Sequence, residues 1–307
     1  MVAEAPRGTM KHDSHLVSEP WSDYELLDSG DNMKLERFGE IIVARPETQA
    51  LWKKLRPELW NPPAGGAHAV FNPPAGGRDK KGRWNIKKSV PESWQMSWRD
   101  IKFLARLTGF KHTGVFPEQA PNWKWLAEKI SKIEKPNVLN LFGYTGIASL
   151  VSAQAGAFVT HVDASKQSLD WARENARLSD IPEDKIRWIL DDALAFAKRE
   201  ARRGAKYDGI ILDPPVFGRG AKGEVWKIEE DFLKLLESLK ELLSEKSGSF
   251  FLLNGYAAGF ASRAFAQAVE SVFAVPDVAL TESGELHIKE SSSERVIPSG
   301  IYVRFVR

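Results

Sequence analysis

From about residue 136 onward, short apolar runs alternate with amphipathic stretches, and this alternation restricts the possible folds more than any other feature. Five apolar runs predict strands, and they lie at 137–142, 157–163, 185–190, 207–213 and 249–254. The stretches between them carry apolar residues at helical spacing, most clearly over 224–243. Strands that alternate with helices form a parallel sheet covered on both faces. The final runs ELHIKE and IYVRFVR predict an antiparallel hairpin at the C-terminal end of the sheet.

The first third of the chain lacks this alternation. It contains short strand-like pieces such as GEIIVARP, loops rich in proline and glycine, and six of the eleven tryptophans. We therefore predict an α/β fold with a small N-terminal β-rich domain. The predicted segments are a disordered tail over 1–19, a β-rich accessory or substrate-recognition domain over 20–110, and the α/β domain over 111–307.

Composition excludes several classes of protein. The 307 residues are 43% hydrophobic and carry a net charge of +2, which suits a globular chain whose overall charge does not indicate nucleic-acid binding. No apolar run reaches the ~20 residues that span a bilayer, and no secretory signal is evident, so we expect a cytoplasmic protein without membrane contact. Cysteine is absent and the histidines are scattered, so we expect no disulfide, no thiolate chemistry and no metal site.

A glycine-flanked turn, LFGYTGIAS, follows the first predicted strand of the α/β domain. Gly143 and Gly146 let the backbone approach a ligand closely, although the same pattern also occurs in an ordinary strand–helix turn. The dinucleotide fingerprint G-x-G-x-x-G is not satisfied, which argues against a nicotinamide-dependent oxidoreductase.

Acidic residues end the next two predicted strands. Asp163 lies twenty residues after Gly143, where a carboxylate can accept both hydroxyls of a ribose. Asp191 and Asp192 follow the third strand, where one can bind an adenine amino group while one or both cap the next helix. We favour Asp192 for the cofactor. Together these acids and the glycine turn favour a cofactor that contains a nucleoside.

Four segments, VLNLFGYTG, VTHVDAS, ILDDALAF and IILDPPVF, occur in the order and spacing of the motifs of class I S-adenosylmethionine-dependent methyltransferases. Over roughly 110–307 the chain resembles, more narrowly, the bacterial large-subunit (23S) ribosomal RNA methyltransferases that carry D-P-P-x-F. The resemblance implies a Rossmann-like, mostly parallel sheet and S-adenosylmethionine as cofactor. The implied cofactor-binding residues of these motifs are Asn140, Phe142, Gly143, Tyr144, Thr145, Gly146, Asp163, Ala164, Ser165, Asp191 and Asp192.

A further segment, KHTGVFPEQA over 111–120, resembles the family's K-T-G-F-F-x-D-Q-R, which helps to hold the cofactor. On this resemblance Thr113, Phe116 and Gln119 are cofactor-binding candidates. Ala120 stands where the family has an arginine, and His112 is inserted, so the role of that arginine is unfilled.

The Asp-Pro-Pro segment follows the fourth predicted strand, at the rim where methyl donor and acceptor meet. The resemblance makes Asp213, Pro214, Pro215 and Phe217 the catalytic candidates. The two prolines stiffen the turn and remove two amide donors, which leaves carbonyls to face a substrate. The Phe217 ring can stack on a flipped base, a contact worth about 1–3 kcal/mol.

Basic residues supply candidate RNA contacts. Arg219 and Lys222, set among glycines, can meet a phosphate. Arg83 and Trp84 lie in the basic run RDKKGRWNIKK, which suits RNA but equally a solvated hairpin. The two NPPAGG copies, at 61–66 and 72–77, precede the cofactor turn and lack a following aromatic residue, so we interpret them as loops and not as active sites.

The missing cysteine bears on the methylated atom. Carbon-5 of a pyrimidine normally needs a cysteine adduct, which the 5-methylcytosine members of the family place just after the fifth strand, where this chain has FLLNGYAAG. We therefore exclude that reaction and expect direct methyl transfer to a purine nitrogen of ribosomal RNA, an enzyme of rRNA processing. Two alternatives stay open: methylation of a protein side chain or small molecule, and a non-catalytic RNA-binding protein that retains the fold.

Overall fold

The structure is a computed structural model that describes residues 11–60, 66–73, 82–220, 223–256, 259–273 and 280–307. The chain divides into two compact units. The first, called here the α/β unit, comprises Met1–Leu16, Asn122–Leu286 and Gly300–Arg307. The second, called here the β unit, comprises Val17–Pro121 and His287–Ser299. The boundaries at 20, 110 and 111 stay predictions from the sequence.

The described residues form strands and helices in the following order. The strands are β1 (Lys11–Ser18), β2 (Tyr24–Gly30), β3 (Met33–Phe38), β4 (Ile41–Pro46), β5 (Ala69–Asn72), β6 (Arg83–Ile86), β7 (Trp94–Trp98), β8 (Ile101–Ala105), β9 (Asn137–Leu141), β10 (Phe158–Asp163), β11 (Ile186–Leu190), β12 (Gly209–Leu212), β13 (Phe217–Arg219), β14 (Val225–Lys227), β15 (Phe250–Gly255), β16 (Leu280–Lys289) and β17 (Val296–Val306). The α-helices are α1 (Ala120–Ile130), α2 (Ile147–Gln154), α3 (Lys166–Leu178), α4 (Ala193–Arg202), α5 (Ile228–Leu242) and α6 (Ser262–Phe273).

One eight-stranded sheet organises the α/β unit, in the order β1-β16-β17-β15-β12-β9-β10-β11. The five strands β15, β12, β9, β10 and β11 pair in parallel, and β17 joins β15 antiparallel. Every residue of β12 and β15 is buried, as expected for strands covered on both faces. The predicted mostly parallel sheet with a C-terminal antiparallel hairpin is confirmed.

The helix predicted over 224–243 begins later, at Ile228. The preceding residues Val225–Lys227 pair antiparallel with Phe217–Arg219, so a small hairpin replaces the first helical turn. Trp226 anchors this hairpin because its ring is buried and its Nε1–H donates to the Pro215 carbonyl at 2.6 Å. The prediction was wrong at Val225, whose side chain is exposed and does not lie on the apolar face of α5.

The predicted disordered tail differs from the structure over Lys11–Ser18, which forms β1 beside β16 at the edge of the large sheet. An edge strand is held by backbone hydrogen bonds, so a polar sequence can form one without apolar alternation. Ser14 lies so close to Gly284 that a Cβ there would overlap the Ser14 carbonyl oxygen. Residues 1–10 lie outside the described residues.

The β unit contains a five-stranded sheet, in the order β2-β3-β4-β5-β6, and the separate pair β7-β8. Its interior holds a charged pair: Arg45 donates to both carboxylate oxygens of Glu36 at 2.7 and 2.8 Å, and both side chains are buried. The Tyr24 hydroxyl donates to the same carboxylate at 2.9 Å. The pKa of Glu36 falls to about 2 because the attraction of Arg45 and Lys34 outweighs the effect of burial.

No helix in the described part of the chain is long and apolar enough to cross a membrane.

Candidate active site

The carboxyl ends of β9, β10, β11 and β12 meet at one edge of the parallel sheet. The register pairs Asn140 with both His161 and Ile211, and Asp163 with Leu190. The loops that follow these four strands therefore lie side by side. Ligands of parallel α/β sheets bind beyond this edge, and the candidate residues of the α/β unit lie mostly on these loops.

The turn after β9 holds its residues in left-handed backbone conformations. Phe142, Tyr144 and Gly146 have φ values of +57°, +49° and +86°. The Gly146 N–H donates to the Gly143 carbonyl at 3.0 Å and closes the turn just before α2. Left-handed backbone at non-glycine residues is uncommon, and it clusters where a structure over-determines a functional loop.

Gly143 is required by packing inside the protein. A Cβ built there would lie 2.3 Å from Cε1 of the buried His161 ring, which is too close for any side chain. The sequence pattern predicted that this glycine allows a ligand to approach. The structure adds a second reason, which is the contact between the turn and β10.

Asp163, the last residue of β10, is fixed by two backbone amides. Its Oδ2 accepts the Tyr144 N–H and its Oδ1 accepts the Ser165 N–H, both at 2.8 Å. Burial raises the pKa of this carboxyl, and the two amide hydrogen bonds lower it in part. Each oxygen keeps a further lone pair for a hydroxyl donor. The geometry fits a ribose and ties the turn after β9 to the end of β10.

Asp191 and Asp192 have different partners. Asp192 caps α4, because its Oδ1 accepts the Ala195 N–H at 2.8 Å. Asp191 pairs with Arg199 at 2.7 Å and accepts the Asp192 N–H at 3.0 Å. Both acids thus have partners inside the protein, and Asp192, favoured for the adenine, also serves as the helix cap. Its cofactor role stays a prediction.

Asn140 belongs to a buried polar chain that the sequence did not reveal. Its Nδ2 donates to the Ser149 Oγ at 2.8 Å, and this oxygen lies 2.9 Å from Nδ1 of His161. Burial lowers the pKa of His161 to about 3, so the ring is neutral at physiological pH. Nε2 of His161 is buried with no hydrogen-bond partner among the described residues. The Asn140 amide is directed into this chain, and its predicted contact with the cofactor is untested.

The remaining candidates around the turn have structural partners. Ser165 caps α3 by accepting the Ser168 N–H at 3.2 Å, next to the half-buried Ala164. The buried Thr145 accepts a hydrogen bond from Asn175 through its carbonyl at 2.9 Å. The two aromatic residues of the turn pack on tryptophans. The Phe142 ring lies 5.1 Å from that of Trp226, and the Tyr144 ring lies 6.0 Å from that of Trp171, measured between ring centroids.

Asp213, which directly follows β12, differs from these acids. No described residue donates a hydrogen bond to its carboxylate or forms an ion pair with it. Burial alone raises its pKa to about 6. Strongly perturbed carboxyls of this kind concentrate at functional sites. Of the two proline carbonyls expected to face a substrate, that of Pro215 instead accepts the Trp226 indole N–H. This leaves the Pro214 carbonyl as the candidate.

The hairpin β13–β14 presents an exposed face beside the Asp-Pro-Pro turn. Phe217 is 46% exposed, and the Arg219 guanidinium lies 6.0 Å from the centre of its ring. Val225 and Lys227 lie opposite them on β14 and are also exposed. Lys222 lies outside the described residues. The face combines an aromatic ring with cations, as single-stranded nucleic-acid binders do.

The candidates Thr113, Phe116 and Gln119 lie in the β unit. The Thr113 Oγ1 is buried with no hydrogen-bond partner among the described residues. The Phe116 ring lies 5.1 Å from that of His112, and Gln119 ends a 3₁₀ turn that contains Glu118. Their cofactor role stays a prediction, to which the orphaned hydroxyl lends support, because a buried hydroxyl normally has a partner.

Arg83 and Trp84 lie on β6, an edge strand of the β unit. The Trp84 indole donates to the Thr108 carbonyl at 2.7 Å, and its ring packs edge-on against Phe71 at 5.1 Å. Trp84 therefore has a packing role, whereas Arg83 is exposed. Residues 74–81 of this region and most of the first NPPAGG copy lie outside the described residues.

Within the part of the chain that is described, no group of three or more histidine, aspartate or glutamate side chains could hold a metal ion.

Comparison with known proteins shows to which family this chain belongs. The family model for S-adenosylmethionine-dependent methyltransferases matches residues 47–278. The chain belongs to this family, whose cofactor is S-adenosylmethionine, and the resemblance found in the sequence is confirmed.

Particular relatives narrow the comparison. The chain is 36% identical over 257 residues to the ribosomal RNA large subunit methyltransferase K/L of Shewanella frigidimarina, covering 77% of this chain and 35% of the relative. The relative of the same name from Alteromonas mediterranea is 29% identical, covering 73% and 33%. This chain thus spans about a third of the length of these relatives. A solved SAM-dependent methyltransferase from Agrobacterium tumefaciens is 38% identical with a TM-score of 0.89, covering 100% of this chain and 97% of that one.

Proposed function

We propose that this protein transfers a methyl group from S-adenosylmethionine to a purine nitrogen of RNA, with ribosomal RNA as the substrate. The observation that carries the proposal is the carboxylate of Asp213, which has no partner among the described residues and lies four positions before the exposed Phe217. The names of the ribosomal RNA relatives support the choice of substrate class. The expected cytoplasmic location accompanies this proposal as a prediction from the sequence.

The α/β unit supplies groups that fit the cofactor. Asp163 has free lone pairs for the ribose hydroxyls, and Asp191 and Asp192 lie on the neighbouring loop for the adenine. When bound, S-adenosylmethionine supplies a methyl group on a positively charged sulfur. This sulfur is a good leaving group. The protein has to align the acceptor with that methyl group and exclude water.

Asp213 and Phe217 fit the acceptor base. The ionised carboxylate of Asp213 and the Pro214 carbonyl can accept hydrogen bonds from the amino group of a guanine or adenine. The base then stacks on Phe217, and Arg219 meets a flanking phosphate. The ionised carboxylate is the stronger acceptor and presents no O–H donor to the amino group. Because the pKa of Asp213 is about 6, methyl transfer should rise with pH through that value.

The absence of cysteine restricts the acceptor atom. A purine ring nitrogen or an exocyclic amine carries nitrogen lone-pair density and needs positioning more than activation. Carbon-5 of cytosine has no lone pair and normally requires a cysteine adduct, for which this chain has no residue. Because the missing cysteine excludes only the carbon-5 reaction, the purine nitrogen is our proposal for the acceptor.

The test is transfer of labelled methyl from S-adenosylmethionine into unmodified ribosomal RNA, followed by digestion to nucleosides and mass spectrometry. DNA and whole-cell protein serve as parallel substrates. A labelled methylpurine is the expected product. Label at carbon-5 of cytosine, or label in protein only, would overturn the proposal. Cofactor binding and RNA affinity without any transfer would instead favour a binding protein that retains the fold.

A matched pair of variants tests the acceptor site. Phe217 and Phe158 are similarly exposed, at 46% and 44%, but Phe158 begins β10 at the opposite, amino-terminal edge of the sheet. Phe217→Ala should lower RNA methylation roughly 5- to 150-fold with unchanged cofactor affinity, since base stacking is worth about 1–3 kcal/mol. Phe158→Ala should leave both unchanged. Equal losses in the two variants would refute the placement of the base on Phe217.

A further inference from the structure

A cavity lies on the α3 face of the large sheet, towards the amino ends of β10 and β11. Its volume is about 250 Å³. Among its lining residues are Arg173 and Arg177 from α3, Glu183 from the following loop, and Trp188 from β11. Trp188 pairs with His161, two residues before the pair Asp163 and Leu190 that lies at the carboxyl edge of the sheet. The cavity is therefore separate from the loops that fit the cofactor.

The two arginines share one face of the helix. Residues four positions apart on a helix are surface neighbours, so both guanidinium groups reach the same cavity. Arg173 contacts Asp170 at 3.3 Å, whereas no described acidic side chain pairs with Arg177. Guanidinium groups hold phosphate oxygens in forked, charge-assisted hydrogen bonds. This part of the cavity fits an anion with several oxygens.

Trp188 supplies an aromatic wall. Its ring packs at a tilt of 57° against the buried His161, with centroids 4.9 Å apart, and the half-buried indole also lines the cavity. Trp188 is thus held in place and offers a surface for stacking. Within the same cavity Glu183 can accept hydrogen bonds from a base, and its charge disfavours a bare anion such as inorganic phosphate.

We propose that this cavity binds one nucleotide unit, with its base against Trp188 and its phosphate at Arg173 and Arg177. The volume lies below the roughly 300–1,000 Å³ of sites for drug-sized ligands, which suits a single unit and not a longer segment. The nucleotide comes either from an RNA strand that runs past the edge strand β11 or from a free mononucleotide. The first source rests on the proposed RNA substrate, but the binding itself does not require methyl transfer.

The experiment measures binding to the full chain with the cofactor site filled by saturating S-adenosylhomocysteine. Calorimetry compares uridine monophosphate, uridine and inorganic phosphate. Fluorescence anisotropy follows a labelled single-stranded oligouridylate. We expect binding of the nucleotide unit, in free form or within the strand, and binding of uridine and phosphate at least about tenfold weaker than that of uridine monophosphate.

The variants separate this cavity from the rest of the surface. Arg173→Gln combined with Arg177→Gln should weaken binding at least about tenfold, by loss of both guanidinium contacts. The control combines Lys198→Gln with Arg202→Gln, two exposed cations of α4 at the same helical spacing, and should change affinity less than about twofold. Trp188→Leu should weaken binding, and Trp188→Phe, which keeps an aromatic ring, should restore most of it.

The outcomes are distinguishable. If the double arginine variant binds both uridine monophosphate and the oligouridylate more weakly than the wild type, the cavity binds a free mononucleotide. If only its binding of the oligouridylate is weakened, the cavity binds a nucleotide of an RNA strand. Binding that is insensitive to the arginine variant, or equal for uridine and its monophosphate, overturns the proposal. Nucleotide binding at this cavity in a protein that methylates no RNA would keep this inference while refuting the proposed function.

Discussion

Replacing Asp213 with asparagine should stabilise the fold at neutral pH while it lowers methyl transfer. The carboxylate is partly removed from water and has no partner among the described residues, and burial raises its pKa from 3.8 to about 6. This difference corresponds to about 3 kcal/mol of unfavourable free energy when the group is ionised. Because water still reaches part of the side chain, we expect a measured gain of roughly 1–3 kcal/mol.

The sign follows from proton binding. Between about pH 4 and pH 6 the folded chain holds the Asp213 proton and the unfolded chain does not, so stability falls as pH rises through this window. Asparagine does not titrate. Asp213→Asn should therefore match the wild type below about pH 4 and exceed it fully above pH 6. At roughly 2–4 °C per kcal/mol, the melting temperature at pH 7.5 should rise by roughly 2–12 °C.

Asp208 provides the matched control. It also lies at an end of β12, but it is buried with a partner, since its Oδ2 accepts the Asn137 N–H at 3.0 Å. Asp208→Asn should lower the melting temperature at pH 7.5. Thermal melts from pH 4 to pH 8 compare both variants with the wild type. An Asp213→Asn protein that is no more stable than the wild type at pH 7.5 would show that burial without a partner does not describe this carboxyl.

Three further changes test other parts of the structure. Asp163→Ala should weaken cofactor binding by calorimetry at least about tenfold, since it removes a charged acceptor of the ribose hydroxyls; unchanged affinity would contradict the assignment. Gly143→Ala should lower the free energy of unfolding by about 1–3 kcal/mol because its Cβ meets the His161 ring, and an unchanged denaturation midpoint would argue against that packing. Glu36→Gln should cost about 3–5 kcal/mol by leaving Arg45 buried and unpaired. The pKa of Glu36 is about 2, so the wild-type contribution is present above pH 4.5 and is lost as pH falls towards 2, which melts in acid can follow.

The parallel sheet was predictable because its signal is local and repeated. Each strand from β9 to β15 that pairs in parallel is a short apolar run followed by an amphipathic helix, and order and spacing then define the topology. The hairpin β13–β14 was not predictable in this way. Val225 continues the apolar period of α5 in sequence, and only the burial of Trp226 against the Asp-Pro-Pro turn makes the helix begin at Ile228.

The sequence predicted which residue types lie at the strand ends of the candidate site. It predicted the role of each residue less well. The aspartates at the ends of β10 and β11 were found from their positions in the sequence pattern, but position does not tell a helix cap from a ligand contact, as Asp192 shows. His161 was missed because it lies inside a strand, where a buried histidine resembles any core residue. The signal that could have found it is Gly143, because a large neighbour is one reason why a position has no room for a Cβ.

The acids at the sheet edge differ in how far the protein itself satisfies them, and this difference suggests a division of roles. Asp163 is held by two amides, Asp191 by Arg199, and Asp192 by the start of α4, so the cofactor side keeps its geometry without a ligand. Asp213 has no such support among the described residues, and its charge is costly until a donor arrives. A base that brings an amino group to this carboxylate recovers that cost on binding, whereas a base that presents only an acceptor there does not. Selectivity for an amino-bearing purine can thus come from the penalty that the unpaired carboxylate carries.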